Sequence, residues 1–364
     1  MKIKDITSLL EKHAPLSTQE SYDNSGLIVG DSDTEISGVL ISLDCVESVI
    51  DEAIAKGCNL VISHHPIVFK GLKKINGKNY VERTVIKAIK NDIALYAIHT
   101  NLDNYRFGVN AKIGELIGLK NLKILSPVKG KLYKLVFFSP IEHSESVKTA
   151  VFQAGAGHIG DYSACSFTSE GTGTFAPEED ANPFIGEQGR LEKVQEHKVE
   201  MLVPDYAISS VLNAMKSAHP YEEVAYDLIP LANENNHQGA GMIGELAEKV
   251  DALTFLKKLK ETFECGTIKY TELVKKEIST VAFCGGAGSF LLQEAKRQKA
   301  DIYITGDMKY HEFFDAENQL IIADIGHYES EQFTPNLIHA ILKKNFINFA
   351  LHLSEENTNP INYL

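Results

Sequence analysis

Two adjacent histidines close an apolar run, Asn59-Leu-Val-Ile-Ser-His64-His65-Pro66. Neutral imidazoles and carboxylates are the donors that divalent transition metals take, at about 2.0–2.2 Å. The pair sits where a buried strand should stop and a proline turns the chain. Three further segments carry matching donors beside other apolar runs: His99-Thr-Asn-Leu-Asp103, Gly306-Asp307-Met-Lys-Tyr-His311 and His327-Tyr-Glu-Ser-Glu331. Neighbouring side chains diverge along an extended chain, so His64 and His65 are expected to serve different ions of a pair. A shared carboxylate would then bridge two metals about 3.5–4 Å apart. His327 and Glu331, four residues apart, project from one face if a helix begins at Gly326. Asp103 adds a second carboxylate. The expected ligands are therefore His64, His65, Asp103, His327 and Glu331, holding two divalent ions. Zinc suits these donors first, and iron or manganese fit them as well. His99, Asp307 and His311 are expected beside the ligands, orienting them or moving protons. Ordinary loop polarity explains these three equally well.

Donors at several strand ends require a sheet that brings those ends together. Residues 1–127 alternate helix and strand: Gly38–Leu43, Leu60–Ile62 and Ile93–Ile98 read as short apolar strands, Val46–Lys56 and Val81–Asn91 as helices. That alternation predicts a parallel sheet covered on both faces, with ligands at its carboxyl edge. The pattern returns near the C-terminus. Val39–Ser63 and Val281–Thr305 have the same length and order, and Asn59-Leu-Val-Ile-Ser63 matches Asp301-Ile-Tyr-Ile-Thr305. His64-His65 then falls on Gly306-Asp307. Between these halves the order changes to strand, helix, two short strands around Glu170-Gly-Thr-Gly, strand, helix, strand, which suits a ferredoxin-like α+β module. The polar stretch Asn233–Gly241 reads as a return linker. The expected fold is thus α/β: two related lobes, residues 1–127 and 235–364, interrupted by an inserted module at 128–234.

Composition narrows the function. The 364-residue chain is too long for one ordinary core, and its 44% hydrophobic and 23% charged residues are those of a globular protein. A net charge of −13 gives no strong nucleic-acid signal and argues against anionic membranes. No apolar stretch approaches ~18 residues, and Glu11 and Lys12 interrupt the N-terminus before a signal-peptide core forms. The five cysteines are scattered with no CxxC, as in reduced thiols. The expectation is a cytoplasmic protein acting on a small molecule. Lys70, Lys73 and Lys74 read as a solvated charge run. Cys284-Gly-Gly-Ala-Gly288 reads as a tight strand-to-helix turn, since the full dinucleotide fingerprint is missing. His219-Pro-Tyr-Glu-Glu223 reads as a helix-to-strand connector.

Taken together, Tyr22-Asp-Asn-Ser-Gly26-Leu, Ser63-His-His-Pro66, His99-Thr-Asn-Leu-Asp103, Cys284-Gly-Gly-Ala-Gly288, Thr305-Gly-Asp307 and Gly326-His327 with Glu331 resemble the Nif-three-like family. Bacterial members of it are named GTP cyclohydrolase I type 2 homologues. The resemblance spans nearly the whole chain. It implies a dinuclear site, commonly zinc, with the same five ligands and Glu331 bridging. It also implies a ring-shaped homo-hexamer, and a PII/CutA-like identity for the insert. The activity it implies is hydrolytic opening of the GTP imidazole ring at C8 with release of formate, His99 or His311 moving protons. Two other readings remain open on the residues alone: a non-enzymatic metal-binding or ligand-sensing regulator, and a nucleotide phosphoesterase.

Overall fold

The computed structural model describes residues 1–364 and divides into two compact units, 1–126 with 238–364, and 127–237. The first unit is a mixed α/β fold on two sheets. One sheet runs in the order Gly26–Val29, Ala94–Ala97, Leu60–Ser63, Val39–Ser42, Leu351–Leu353. Its last four strands are parallel, and Gly26–Val29 caps one edge antiparallel. The central strands Val39–Ser42, Leu60–Ser63 and Ala94–Ala97 are buried along their whole length, which is why they read as continuous apolar runs rather than alternating ones. The second sheet runs Lys269–Tyr270, Ile321–Asp324, Ile302–Gly306, Glu277–Ala287, Glu234–Asp251, Lys120–Lys129, with a parallel centre of Glu277–Ala287, Ile302–Gly306 and Ile321–Asp324.

One core joins the sheets. It collects Ile41, Ile62 and Tyr96 from the first, Phe283, Ile304 and Ala323 from the second, and Leu10, Ile113, Phe255 and Ile338 from helices between them. Separate clusters cover the outer faces. Val49, Ile50 and Val85 pack on the first sheet, and Leu291, Leu292 and Ala295 on the second. The two parallel centres share a register. Val39 lies opposite Leu60, and Val281 lies opposite Ile302, the same offset along the chain.

Three expectations are corrected. The lobes are not contiguous, because Leu351–Leu353 adds a parallel strand to the N-terminal sheet while Lys120–Lys129 lies in the C-terminal one. Leu351 and Leu353 pack against the shared core and cover what would be an open sheet edge. The return linker read at Asn233–Gly241 does span the boundary between the units, at His237 and Gln238, but as part of the long strand Glu234–Asp251 instead of a loop. Its glycines permit close packing: a Cβ on Gly241 would meet Leu291 Cδ1 at 2.7 Å. The stretch Tyr162–Phe175 holds one strand, Phe167–Phe175, instead of two; Gly171 and Gly173 stay in the ladder opposite Glu196 and Val194.

The second unit is a four-stranded antiparallel sheet, ordered Phe167–Phe175, Glu192–Pro204, Leu132–Pro140, Tyr226–Leu231. Helices Ser144–Gln153 and Ile208–Ala218 bury Val147, Val151, Val211 and Met215 against Leu135, Phe137, Val199 and Met201.

Candidate metal centre

Parallel strands of both sheets of the first unit end at one place. The backbone N–H groups of His64 and His65 continue the ladder, donating to the carbonyls of Ser42 and Leu43. The histidine rings, 4.9 Å apart between centroids, therefore emerge just past strand Leu60–Ser63. Strand Ala94–Ala97 leads to His99 and the short helix Thr100–Asp103. Strand Ile321–Asp324 leads to Gly326, whose φ of +96° turns the chain into helix His327–Glu331. A Cβ at Gly326 would meet Glu329 Oε2, so the turn excludes a side chain on contact grounds too.

The side chains form three overlapping groups whose donor atoms lie within 4.8 Å of one another and could hold a metal ion: His65, His327 and Glu331; His64, Asp103 and Glu331; and His64, His65 and His99. Glu331 is shared by the first two, one oxygen to each. Its Oε2 stands 3.0 Å from His65 Nε2 and 3.1 Å from His327 Nε2. Its Oε1 stands 3.8 Å from His64 Nε2, which is 3.5 Å from Asp103 Oδ1. The last two separations are too long or too poorly aimed for hydrogen bonds, and His64 Nε2 and Asp103 Oδ1 are buried with no hydrogen-bond partner. Two ligands of one tetrahedral ion at ~2.1 Å stand roughly 3.4 Å apart, so these gaps suit a cation.

Each imidazole is held from behind. His65 Nδ1 donates to Asp44 Oδ1 at 2.7 Å, His327 Nδ1 to Asp307 Oδ2 at 2.7 Å, His99 Nδ1 to Asp23 Oδ1 at 2.7 Å, and His64 Nδ1 to the Ile98 carbonyl at 2.8 Å. That pattern leaves every Nε2 directed at the others. It is the arrangement by which carboxylates and carbonyls fix the tautomer and raise the basicity of metal-binding histidines. Asp44 is itself held by Thr358 Oγ1 at 2.5 Å, and Asp23 by the Thr100 N–H at 3.0 Å.

The electrostatics show what the donors lack. Burial opposes charge on His65, but hydrogen bonds to Asp44 and Glu331 push its pKa up to about 9. Burial likewise opposes charge on His327, and its bonds to Asp307 and Glu331 override it, to about 11. Burial would raise Glu331, yet hydrogen bonding to His327 and His65 holds it well below the ordinary carboxylate range. Burial, then the negative charge of Glu331, pushes Asp103 up to about 8. Without a metal, protons neutralise this cluster, and a divalent ion offers the same positive charge at the same lone pairs.

Of the residues singled out in the sequence, His64, His65, Asp103, His327 and Glu331 come together, with His99 5.3 Å from the ring of His64 and 5.4 Å from that of His65. Asp307 lies behind His327. His311 is exposed on the turn Tyr310–Ala316, with its ring against Tyr310 and Phe314, and it belongs to none of the three groups. Asp44 was not singled out from the sequence, although its position two residues past Ser42 parallels that of His65 past Ser63. The run Cys284–Gly288 supports the site sterically. Its N–H groups are already taken: Gly285 by Asn110 Oδ1, Gly286 by Ser330 Oγ and Gly288 by Thr305 Oγ1. A Cβ on Gly286 would meet Glu331 Oε1 at 2.5 Å.

The family model described as Duf34/NIF3 (NGG1p interacting factor 3) matches residues 1–360. The chain belongs to the DUF34/NIF3 family. Among its relatives in that family is a protein of Halalkalibacterium halodurans named GTP cyclohydrolase 1 type 2 homolog, 41% identical over 99% of this chain and 98% of its own. A Bacillus subtilis protein of the same name is 38% identical over the same shares. The crystal structure of a Bacillus cereus protein related to NIF3 superposes with a TM-score of 0.88 at 38% identity, covering 100% of this chain and 99% of that one. A Staphylococcus aureus structure does so at 0.77 and 32%, with the same coverage. No helix is long and apolar enough to cross a membrane.

Proposed function

We propose that the centre holds two divalent metal ions and is a hydrolytic site, with the GTP imidazole ring as the first substrate to test. The observation that supports it most is the division of Glu331, one oxygen toward His65 and His327 and the other toward His64 and Asp103. In this reading those five residues would hold the ions, with Glu331 offering an oxygen to each group, and zinc is the first metal to try. Bound ions would supply Lewis acidity toward water and substrate. The chain's own contribution is orientation and proton handling. Asp44, Asp307 and the Ile98 carbonyl keep three Nε2 lone pairs aimed inward. The His99–Asp23 pair stands close enough to the ligand rings to accept a proton from an attacking water at His99 Nε2 and relay it outward. GTP enters through the names of the relatives, since no side-chain set around the centre reads guanine.

The strand order of unit 127–237 and its strand–helix–strand–strand–helix–strand succession support a ferredoxin-like, CutA-type module. A homo-hexamer rests on the family resemblance and predicts a solution mass six times the 40.2 kDa of one chain. The deciding experiment loads the protein with zinc, iron or manganese, measures metal content, and follows formate and phosphate release from GTP. The expected result is about two ions per chain and formate release that disappears in Glu331→Gln and His65→Ala. Metal retained with neither product would sink the hydrolase and leave a metal-binding protein. Phosphate without formate would redirect the reading to a phosphoesterase.

A further inference from the structure

The unit formed by residues 127–237 contains a cavity of about 530 Å³ whose wall is aromatic and acidic. Four rings line it: Phe138, Phe175, Phe184 and Tyr221. Tyr221 is the hub, 6.0 Å from Phe175 and 6.3 Å from Phe184 between ring centroids, with interplanar angles of 60° and 49°. The rings are thus inclined around a space rather than stacked on each other. Glu196 joins them as a side chain only 8% exposed, and no lysine or arginine lines the cavity. Three more carboxylates, Glu178, Glu222 and Glu223, stand around it. Glu222 is fixed by the Asn182 N–H at 2.8 Å.

Two local features show that the carboxylate is deliberately seated. Gly173 lies in strand Phe167–Phe175, a position where glycine weakens a sheet. A Cβ there would collide with Glu196 Oε2, so the missing side chain makes the space that Glu196 occupies. This gives a reason for the second glycine of Glu170-Gly-Thr-Gly. The nearby His219 does not compete as a cation. Its Nε2 donates to the Phe138 carbonyl at 2.8 Å, its Nδ1 accepts from the Tyr221 N–H at 3.0 Å, and burial pushes its pKa down.

We infer that this cavity is a binding site for a small organic cation with an alkylated ammonium head, held by the faces of Phe175, Phe184 and Tyr221 and neutralised by Glu196. Ring faces carry negative quadrupole density, so they favour a weakly hydrated cation over a neutral group of equal shape. A buried carboxylate with no basic partner favours the same charge. Four carboxylates around the cavity disfavour an anion. The Tyr221 hydroxyl beside Glu196 carries no charge, so a purely apolar ligand would leave the carboxylate without a counter-charge.

The test uses the full chain and titrates tetramethylammonium, choline and 3,3-dimethylbutan-1-ol, the neutral carbon isostere of choline, by calorimetry or ligand-observed NMR. Choline should bind at least roughly tenfold more tightly than its isostere. Glu196→Gln should weaken choline by a similar factor, and Phe184→Ala by several-fold. Phe184 is 55% exposed, so that variant keeps its fold and serves even if a change at Glu196 unfolds the module. Gly173→Ala should weaken choline as well, by displacing the carboxylate. Equal affinity for choline and its isostere, affinity untouched by both Phe184→Ala and Glu196→Gln, or no ammonium binding at ~10 mM would each overturn the assignment.

Discussion

Replacing Gly286 with alanine isolates the fit of the bridging carboxylate. Gly286 has a φ of +61°, and an added Cβ would lie 2.5 Å from Glu331 Oε1, 3.2 Å from its Cδ and 3.3 Å from His327 Cε1. Two separate costs follow. The left-handed backbone costs an alanine roughly 1–2 kcal/mol wherever it occurs. The contact then requires Glu331 to move, and Glu331 is 3% exposed and tied to His65 and His327, so it cannot swing into solvent. Gly57 supplies the control. Its φ is +66°, nearly the same, and a Cβ there meets nothing within 4 Å. Gly57→Ala therefore carries the backbone cost alone. Moving a group that orients the site should weaken metal binding roughly 10- to 100-fold, about 1.4–2.8 kcal/mol. Competition against a chromogenic chelator measures that affinity, and urea unfolding of the metal-free proteins measures the backbone cost. Gly286→Ala should lose more stability than Gly57→Ala, by the cost of moving Glu331, and only Gly286→Ala should lose metal affinity. Unchanged affinity and stoichiometry in Gly286→Ala would refute Glu331 as a ligand at this position.

Other outcomes follow from the same geometry. In the metal-free protein His65 and His327 have pKa values raised to about 9 and about 11, above the 6.5 of a free imidazole. Their contribution to stability is present in full below about pH 6.5 and is lost as pH rises through those values. The raised pKa of Asp103 acts in the same direction. The urea midpoint of the metal-free protein should therefore fall between about pH 6.5 and pH 9.5, more steeply than in His327→Gln; a flat or rising midpoint contradicts the protonated cluster. The same protons must leave when metal binds, so calorimetry in buffers of different ionisation enthalpy should show proton release. Asp44→Asn keeps the shape of the group behind His65 but removes its charge, and should weaken metal binding ~10- to 100-fold while leaving the fold intact. Equal affinity in that variant would mean that Asp44 does not orient the ring.

Much of the centre was legible because its signals are local. An apolar run buried on both faces must end at a polar boundary, and His64-His65-Pro66 is such a boundary after Leu60–Ser63. The four-residue spacing of His327 and Glu331 carries its own geometry once a helix forms, as it does. Repetition along the chain was equally readable, since Val39/Leu60 and Val281/Ile302 keep one register in two sheets. Partners that lie far apart in sequence left weaker traces. Asp44 reaches His65 from another strand, and His99 meets Asp23 from a loop more than seventy residues away. Single carboxylates in loops are common, and only proximity distinguishes these two.

Neighbours within a few residues set the alternation of elements and the donors at the strand ends, whereas turn signals misled where pairing overrode them, as at Glu170-Gly-Thr-Gly inside strand Phe167–Phe175. Packing across the chain settled which strands share a sheet, as with Leu351–Leu353 beside Val39–Ser42, and which oxygen of Glu331 faces which histidine. It also decided why Gly286 and Gly173 are glycines, since each clears space for a carboxylate contributed by a distant segment. Burial, close contact and opposing charge are properties of groups brought together by packing, and no spacing along the chain encodes them directly.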